Sequence, residues 1–279
     1  MKIETILEKG SARLNEDTLV AQGNLFGVFD GATSLNKTVF EKGKTGGFLA
    51  SSAARSVFAT NHFPLKALAH TANQSIHQHM VRHGVNLTRK ENLWSTSAAV
   101  VRIQDNNTLE WVQTGDAQII LIYHDNTHEV LVDREDHDYD TLCLWPARGK
   151  TGSCGTDARV CEQIRKKRAE MNLTYGVLNG EPHAMDFLLH GRKSLDQINT
   201  VLLFTDGLSI PSEKPAKKKD FTPLVTLYRD LGLSGLKHRI RQIEKTDPEC
   251  RRFPRFKTHD DIAAIAVQNL SPAGHPKEH

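Results

Sequence analysis

Apolar residues along this chain gather either in short continuous runs or in stripes three and four residues apart. The run "LFGVF" ends at Asp30-Gly31, and "VLLFT" ends at Asp206-Gly207. Both have the length and the aromatic and aliphatic content of a buried strand. Each strand therefore delivers an Asp-Gly pair at its end. The second half of "NKTVFEKGKTGGFLASSAARSVFAT" suits a helix, and Pro64 marks the start of another. There Leu65, Leu68, Ala69, Ala72, Ile76 and Met80 recur at helical spacing, so one face packs on a sheet. "STSAAVVRI" and "LEWVQTGDAQIILIYH" flank the turn formers of "QDNNT" and predict a hairpin. An irregular stretch from Arg134 to Thr156 follows, then a charged helix around "EQIRKKRAEM" and a short helix in "EPHAMDFLLHG". The second Asp-Gly strand, two helices and a final strand, "DDIAAIAV", complete the chain. Strand and helix signatures stand in blocks, which favours a layered α+β architecture over a βαβ repeat.

The length of 279 residues, 38% of them hydrophobic, is ample for a large core. Thirty-six Lys and Arg against 33 Asp and Glu leave +3, too even a balance to require nucleic acid as a partner. Cys143, Cys154, Cys161 and Cys250 show no CxxC spacing and read as reduced thiols of a cytoplasmic protein. "MKIETILEKG" lacks the apolar stretch of a signal peptide, and no window approaches a membrane span. "PSEKPAKKKD" reads as a charged surface loop.

The chemistry lies in the acids at strand ends: Asp17, Asp30, Asp116, Asp206, Asp260 and Asp261. A single aspartate in such a place is most often a turn or capping residue. Several converging from different strands repel one another and are tolerated when cations sit among them. Oxygen ligands without Cys or His select hard ions, Mg²⁺ or Mn²⁺. A following glycine lets its carbonyl approach such an ion with no side chain in the way. Spacing leaves the convergence itself open.

Six stretches, in order, resemble the metal-dependent serine/threonine phosphatases of the protein phosphatase 2C type. They are "RLNEDTLV", "FDGAT", "STSAAV", "TGDAQIIL", "FTDGL" and "HDDIAAIAV", and they span nearly the whole chain. "REDH" and "RAEMNLTYGVLNGE" look like the bacterial branch. The resemblance implies a four-layer αββα sandwich, an α+β fold with two central, mainly antiparallel sheets flanked by helices. It also implies one domain over 1–270 and a short tail, 271–279. Asp30 would bridge two Mn²⁺ or Mg²⁺ ions, and Gly31 would add its carbonyl. Asp206 and Asp260 would complete one ion's shell, with Glu16 and Asp17 on the other side, while Asp116 with Asp206 would hold a looser third ion. A metal-bridging hydroxide would then attack a phosphoserine or phosphothreonine of a protein substrate, making Asp30, Asp206 and Asp260 catalytic.

The chain departs from that pattern in three respects. Where the family often carries a phosphate-binding arginine this chain has Ala12, with Arg13 adjacent. Arg13 is therefore one expected phosphate ligand. "RRFPRFKTHDD" offers Arg252, Arg255 and Lys257, with Arg255 the second expected ligand; a solvated basic loop is the alternative. Ala32 stands where animal members have a histidine, and Ser209 and Ile210 stand where many relatives have a further acid. Two other functions stay open on these grounds: an inactive phosphate-binding module on the same fold, and a phosphatase for small molecules.

Overall fold

The computed structural model describes residues 1–33, 35, 38–40, 43–145 and 158–270. Its strands form two five-stranded sheets in which every pairing is antiparallel. One sheet runs in the order β1 (Lys2–Glu8), β10 (Ile262–Gln268), β9 (Ile198–Phe204), β6 (Gln118–Tyr123) and β7 (His128–Val130). The other runs β2 (Thr18–Gln22), β3 (Leu25–Gly31), β4 (Thr96–Gln104), β5 (Thr108–Thr114) and β8 (Leu189–Ser194).

Strand periodicity divides the core into layers, because neighbouring residues face opposite ways. Phe26, Val28, Ala99 and Val101 meet Ile119, Leu121, Val201, Leu203 and Ile265 between the sheets. Their neighbours Leu25, Phe29, Ala98 and Val100 face out, onto α1 (Gly46–Phe58) and α2 (Leu65–Arg82). On the far side Leu202, Phe204, Ile120 and Ala264 pack on Leu224, Tyr228, Leu236 and Ile240 of α5 (Thr222–Lys245). The result is the αββα sandwich. Two shorter helices, α3 (Tyr139–Cys143) and α4 (Ala158–Ala169), follow β7.

Three elements differ from the sequence reading. "LEWVQTGDAQIILIYH" is two strands, since β5 belongs to one sheet and β6 to the other, and Gly115 at φ +74° turns the chain between them. Asp116 thus sits at a crossing between sheets. "EPHAMDFLLHG" forms a 3₁₀ turn over Pro182–Phe187 and then enters β8. The two helices expected before the last strand are one, α5, kinked at Gly232 with φ +68°. Cys154 and the tail 271–279 lie outside the described residues. Among those described, no helix is long and apolar enough to cross a membrane.

Candidate metal centre

Pairing register brings the acids to one end of the two sheets. Asp30 pairs with Ser97 across β3 and β4. Asp206 follows Phe204, which pairs with both Gln118 of β6 and Ala264 of β10, so Asp116 and Asp260 arrive just before those partners. Asp30, Asp116, Asp206 and Asp260 line one cavity of about 290 Å³. The glycines make this approach feasible. A Cβ on Gly31 would lie 2.3 Å from the Gly47 carbonyl oxygen, and one on Gly207 would lie 1.9 Å from that of Asp261. Both glycines are therefore demanded by backbone packed against backbone.

Hydroxyls hold the carboxylates in place. Thr205 Oγ1 donates to Asp17 Oδ2 at 2.6 Å, and Ser97 donates to Asp116. Thr33 donates to Glu16 Oε2, while Glu16 Oε1 is buried with no hydrogen-bond partner among the described residues. Asp261 plays a different part from Asp260. It accepts from the Gly10 and Glu16 amides at 2.7 and 2.9 Å and so ties down the loop before β2.

Protonation follows from crowding. Burial, opposed by the Thr205 hydroxyl but reinforced by Asp260 and Asp261, pushes the Asp17 carboxyl up to about 8. Burial raises Asp30 well above the carboxylate range, with Asp17, Asp206, Asp116 and Asp260 adding to it. It does the same to Asp206, beside Asp260 and Asp116. At Asp116 burial is outweighed by His137, the Ser97 hydroxyl and Lys219, which hold the carboxyl below its usual range. The cluster is short of positive charge. An oxygen-rich donor set with an orphaned buried carboxylate oxygen fits hard divalent cations.

The fold is that of the bacterial PPM-type serine/threonine phosphatases. The PstP/Ppp serine/threonine phosphatase of Mycobacterium tuberculosis matches with a TM-score of 0.60 at 16% identity, over 96% of this chain and 97% of that one. Stp1 from Staphylococcus aureus matches at 0.58 with 13% identity, over 96% and 94%. The PPM Ser-Thr phosphatase MsPP from Mycobacterium smegmatis, in complex with cacodylate, matches at 0.56 with 15% identity, over 96% and 98%. The PstP catalytic domain has also been solved in complex with two manganese ions. No protein-family model and no curated protein matches the sequence.

Within this PPM-type fold the two arginines expected to bind phosphate stand elsewhere. Arg13 is exposed and does not line the cavity. Arg255 does not line it either, because its guanidinium serves the chain's own backbone. It bonds the Asp247 carboxylate at 3.0 Å and the carbonyls of Phe253, Glu244, Asp247 and Thr258. In this structure Arg255 anchors its own loop.

Other residues, not named as site candidates, line the cavity or stand beside its acids. His137 stacks on Tyr175 at 4.3 Å, and its Nε2 lies 3.9 Å from Asp116 and 3.7 Å from Asp138. These three side chains stand close enough to share an ion. Asp116 was already expected to hold an ion, and "REDH" held the hint of His137. Lys219, in the loop read as plain surface, pairs with Asp136 at 3.1 Å. Burial opposes its charge, but Asp136, Asp206 and Asp116 hold it protonated. Arg168 of α4 donates to the Thr33 carbonyl at 2.8 Å and joins that helix to the loop after β3.

Proposed function

We propose that this chain is a metal-dependent phosphoprotein phosphatase acting on phosphoserine and phosphothreonine. The observation that carries the reading is the convergence of Asp30, Asp116, Asp206 and Asp260, from separate strand ends, on one cavity. The manganese-bound PstP relative supports it by fold. Asp30 would bridge two Mn²⁺ or Mg²⁺ ions with the Gly31 carbonyl, Asp206 and Asp260 would serve one side, and Asp17 and Glu16 the other. Asp116 with Asp206 would hold a weaker third. When bound, such ions lower the pKa of water and neutralise charge on the phosphate.

The chain's own groups set the rest. Thr205 and Ser97 fix the directions of Asp17 and Asp116, so these carboxylates need little reorganisation. Arg168, which lines the cavity, ties α4 to the loop after β3. Hydrolysis forms a bond from water oxygen to phosphorus and breaks the bond from phosphorus to the ester oxygen, which leaves as the serine or threonine hydroxyl after taking a proton. No protein nucleophile enters this balance.

Hydrolysis of an aryl phosphate and of phosphothreonine and phosphoserine peptides, with Mn²⁺, Mg²⁺ or chelator, tests the reading. Turnover should require the metal and fall by at least about 10²-fold in a folded Asp30→Asn protein. Phosphate binding without turnover would establish the inactive module. Turnover confined to small esters would establish the small-molecule enzyme.

A further inference from the structure

Among the described residues, Lys167, Arg168 and Lys257 bring Lys or Arg charge to the cavity. Lys167 bridges Asp140 and Glu170 at 3.4 and 3.2 Å. Arg168 spends donors on the Thr33 carbonyl and on Ser95 Oγ, at 2.8 and 3.4 Å. Lys257 differs from both, since its Nζ lies 2.6 Å from Oδ1 of Asp260, inside the acid cluster.

The segment carrying Lys257 is fastened on both sides. Arg255 is tied to Asp247 before it, and Thr258 Oγ1 donates to the Pro248 carbonyl at 3.2 Å. The His259 carbonyl accepts from Ser11 N at 2.8 Å, and its ring lies 2.7 Å from Glu244. Only the four-carbon stem of Lys257 is left to move. A cation held by the Asp260 carboxylate would repel the ammonium 2.6 Å from Oδ1. The displaced ammonium would then sit at the edge of the cavity, on a flexible stem, and would be drawn to the next anion to enter. Lysine suits this part as a compact charge with three rotatable donors.

Resting on the phosphatase reading above, we propose that Lys257 is the side chain that grips the substrate phosphate. Unlike Arg13 and Arg255, it lines the cavity. The test is calorimetric titration of the Mn²⁺-loaded protein with inorganic phosphate, for wild type, Lys257→Met and Lys257→Arg, beside KM and kcat on a phosphothreonine peptide. Lys257→Met should weaken phosphate binding on the order of tenfold or more and raise KM by a similar factor, with kcat changed less. Lys257→Arg should restore most of both, and Mn²⁺ stoichiometry should stay as in wild type. Unchanged phosphate affinity and KM in Lys257→Met would overturn the proposal. So would a loss confined to kcat or to Mn²⁺ binding, which would make Lys257 a positioning residue for Asp260. A wild-type protein that binds phosphate yet hydrolyses nothing would refute the phosphatase reading alone, and the calorimetry would still decide the role of Lys257.

Discussion

At Asp17 two local effects oppose each other: burial, with Asp260 and Asp261 nearby, raises the carboxyl to about 8, against the pull of the Thr205 hydroxyl. The ordinary value is 3.8, so between these limits the folded chain keeps a proton that the unfolded chain has released. Unfolding free energy therefore falls as pH rises from about 4 to about 8. Asp30 and Asp206, also raised, push in the same direction. Thermal melts in chelator should show the midpoint dropping across that window, and saturating Mn²⁺ should flatten the slope because the ions replace the protons. A midpoint independent of pH in chelator would contradict the charge balance described. The aspartates were legible because each abuts an apolar run or a turn. His137 and Lys219 were not, since they arrive from irregular segments whose position depends on packing.

The elements owe their meeting to glycines more than to the hydrophobic pattern. A Cβ on Gly207 would collide with the Asp261 carbonyl, and one on Gly115 would lie 2.3 Å from Ser97 Oγ. Gly207→Ala is expected to cost about 1–3 kcal/mol in urea unfolding and to weaken Mn²⁺ binding, because backbone must shift at the centre. Gly115→Ala should disturb the Ser97 hydroxyl and loosen its hold on Asp116, and it also strains a left-handed residue. Wild-type stability and metal affinity in both would count against the packing argument. Sequence pattern showed β3, β4, β9 and β10 clearly, as each is a near-continuous apolar run. It passed over β8, "LHGRKS", which is an edge strand with little apolar signal and owes its place to pairing with β5. The crossing between β5 and β6 was hidden because an apolar run continues on both sides of the Gly-Asp turn.

On the scale of the whole molecule, the layer between the sheets keeps the four strand ends in register. Phe26 and Leu203 are fully buried there. Phe26→Ala should cost about 3–5 kcal/mol and Leu203→Ala about 2–5 kcal/mol by urea unfolding, from lost burial plus the cavity left behind. In protein that remains folded, Mn²⁺ stoichiometry should be unaltered. The ordered motifs made the sandwich legible through their resemblance to the protein phosphatase 2C type, whereas the anchoring of the loop before β10 depended on contacts that only the folded chain shows.

On the proposed reading, strand-end carboxylates from both sheets build one binuclear centre around Asp30. Mn²⁺ titration of wild type and Asp30→Asn, followed by electron paramagnetic resonance, tests it most directly. Two ions per wild-type chain with the spectrum of an interacting pair are expected, with loss of that pair in a folded Asp30→Asn protein. A single isolated Mn²⁺ in wild type, or an intact pair in Asp30→Asn, would contradict it.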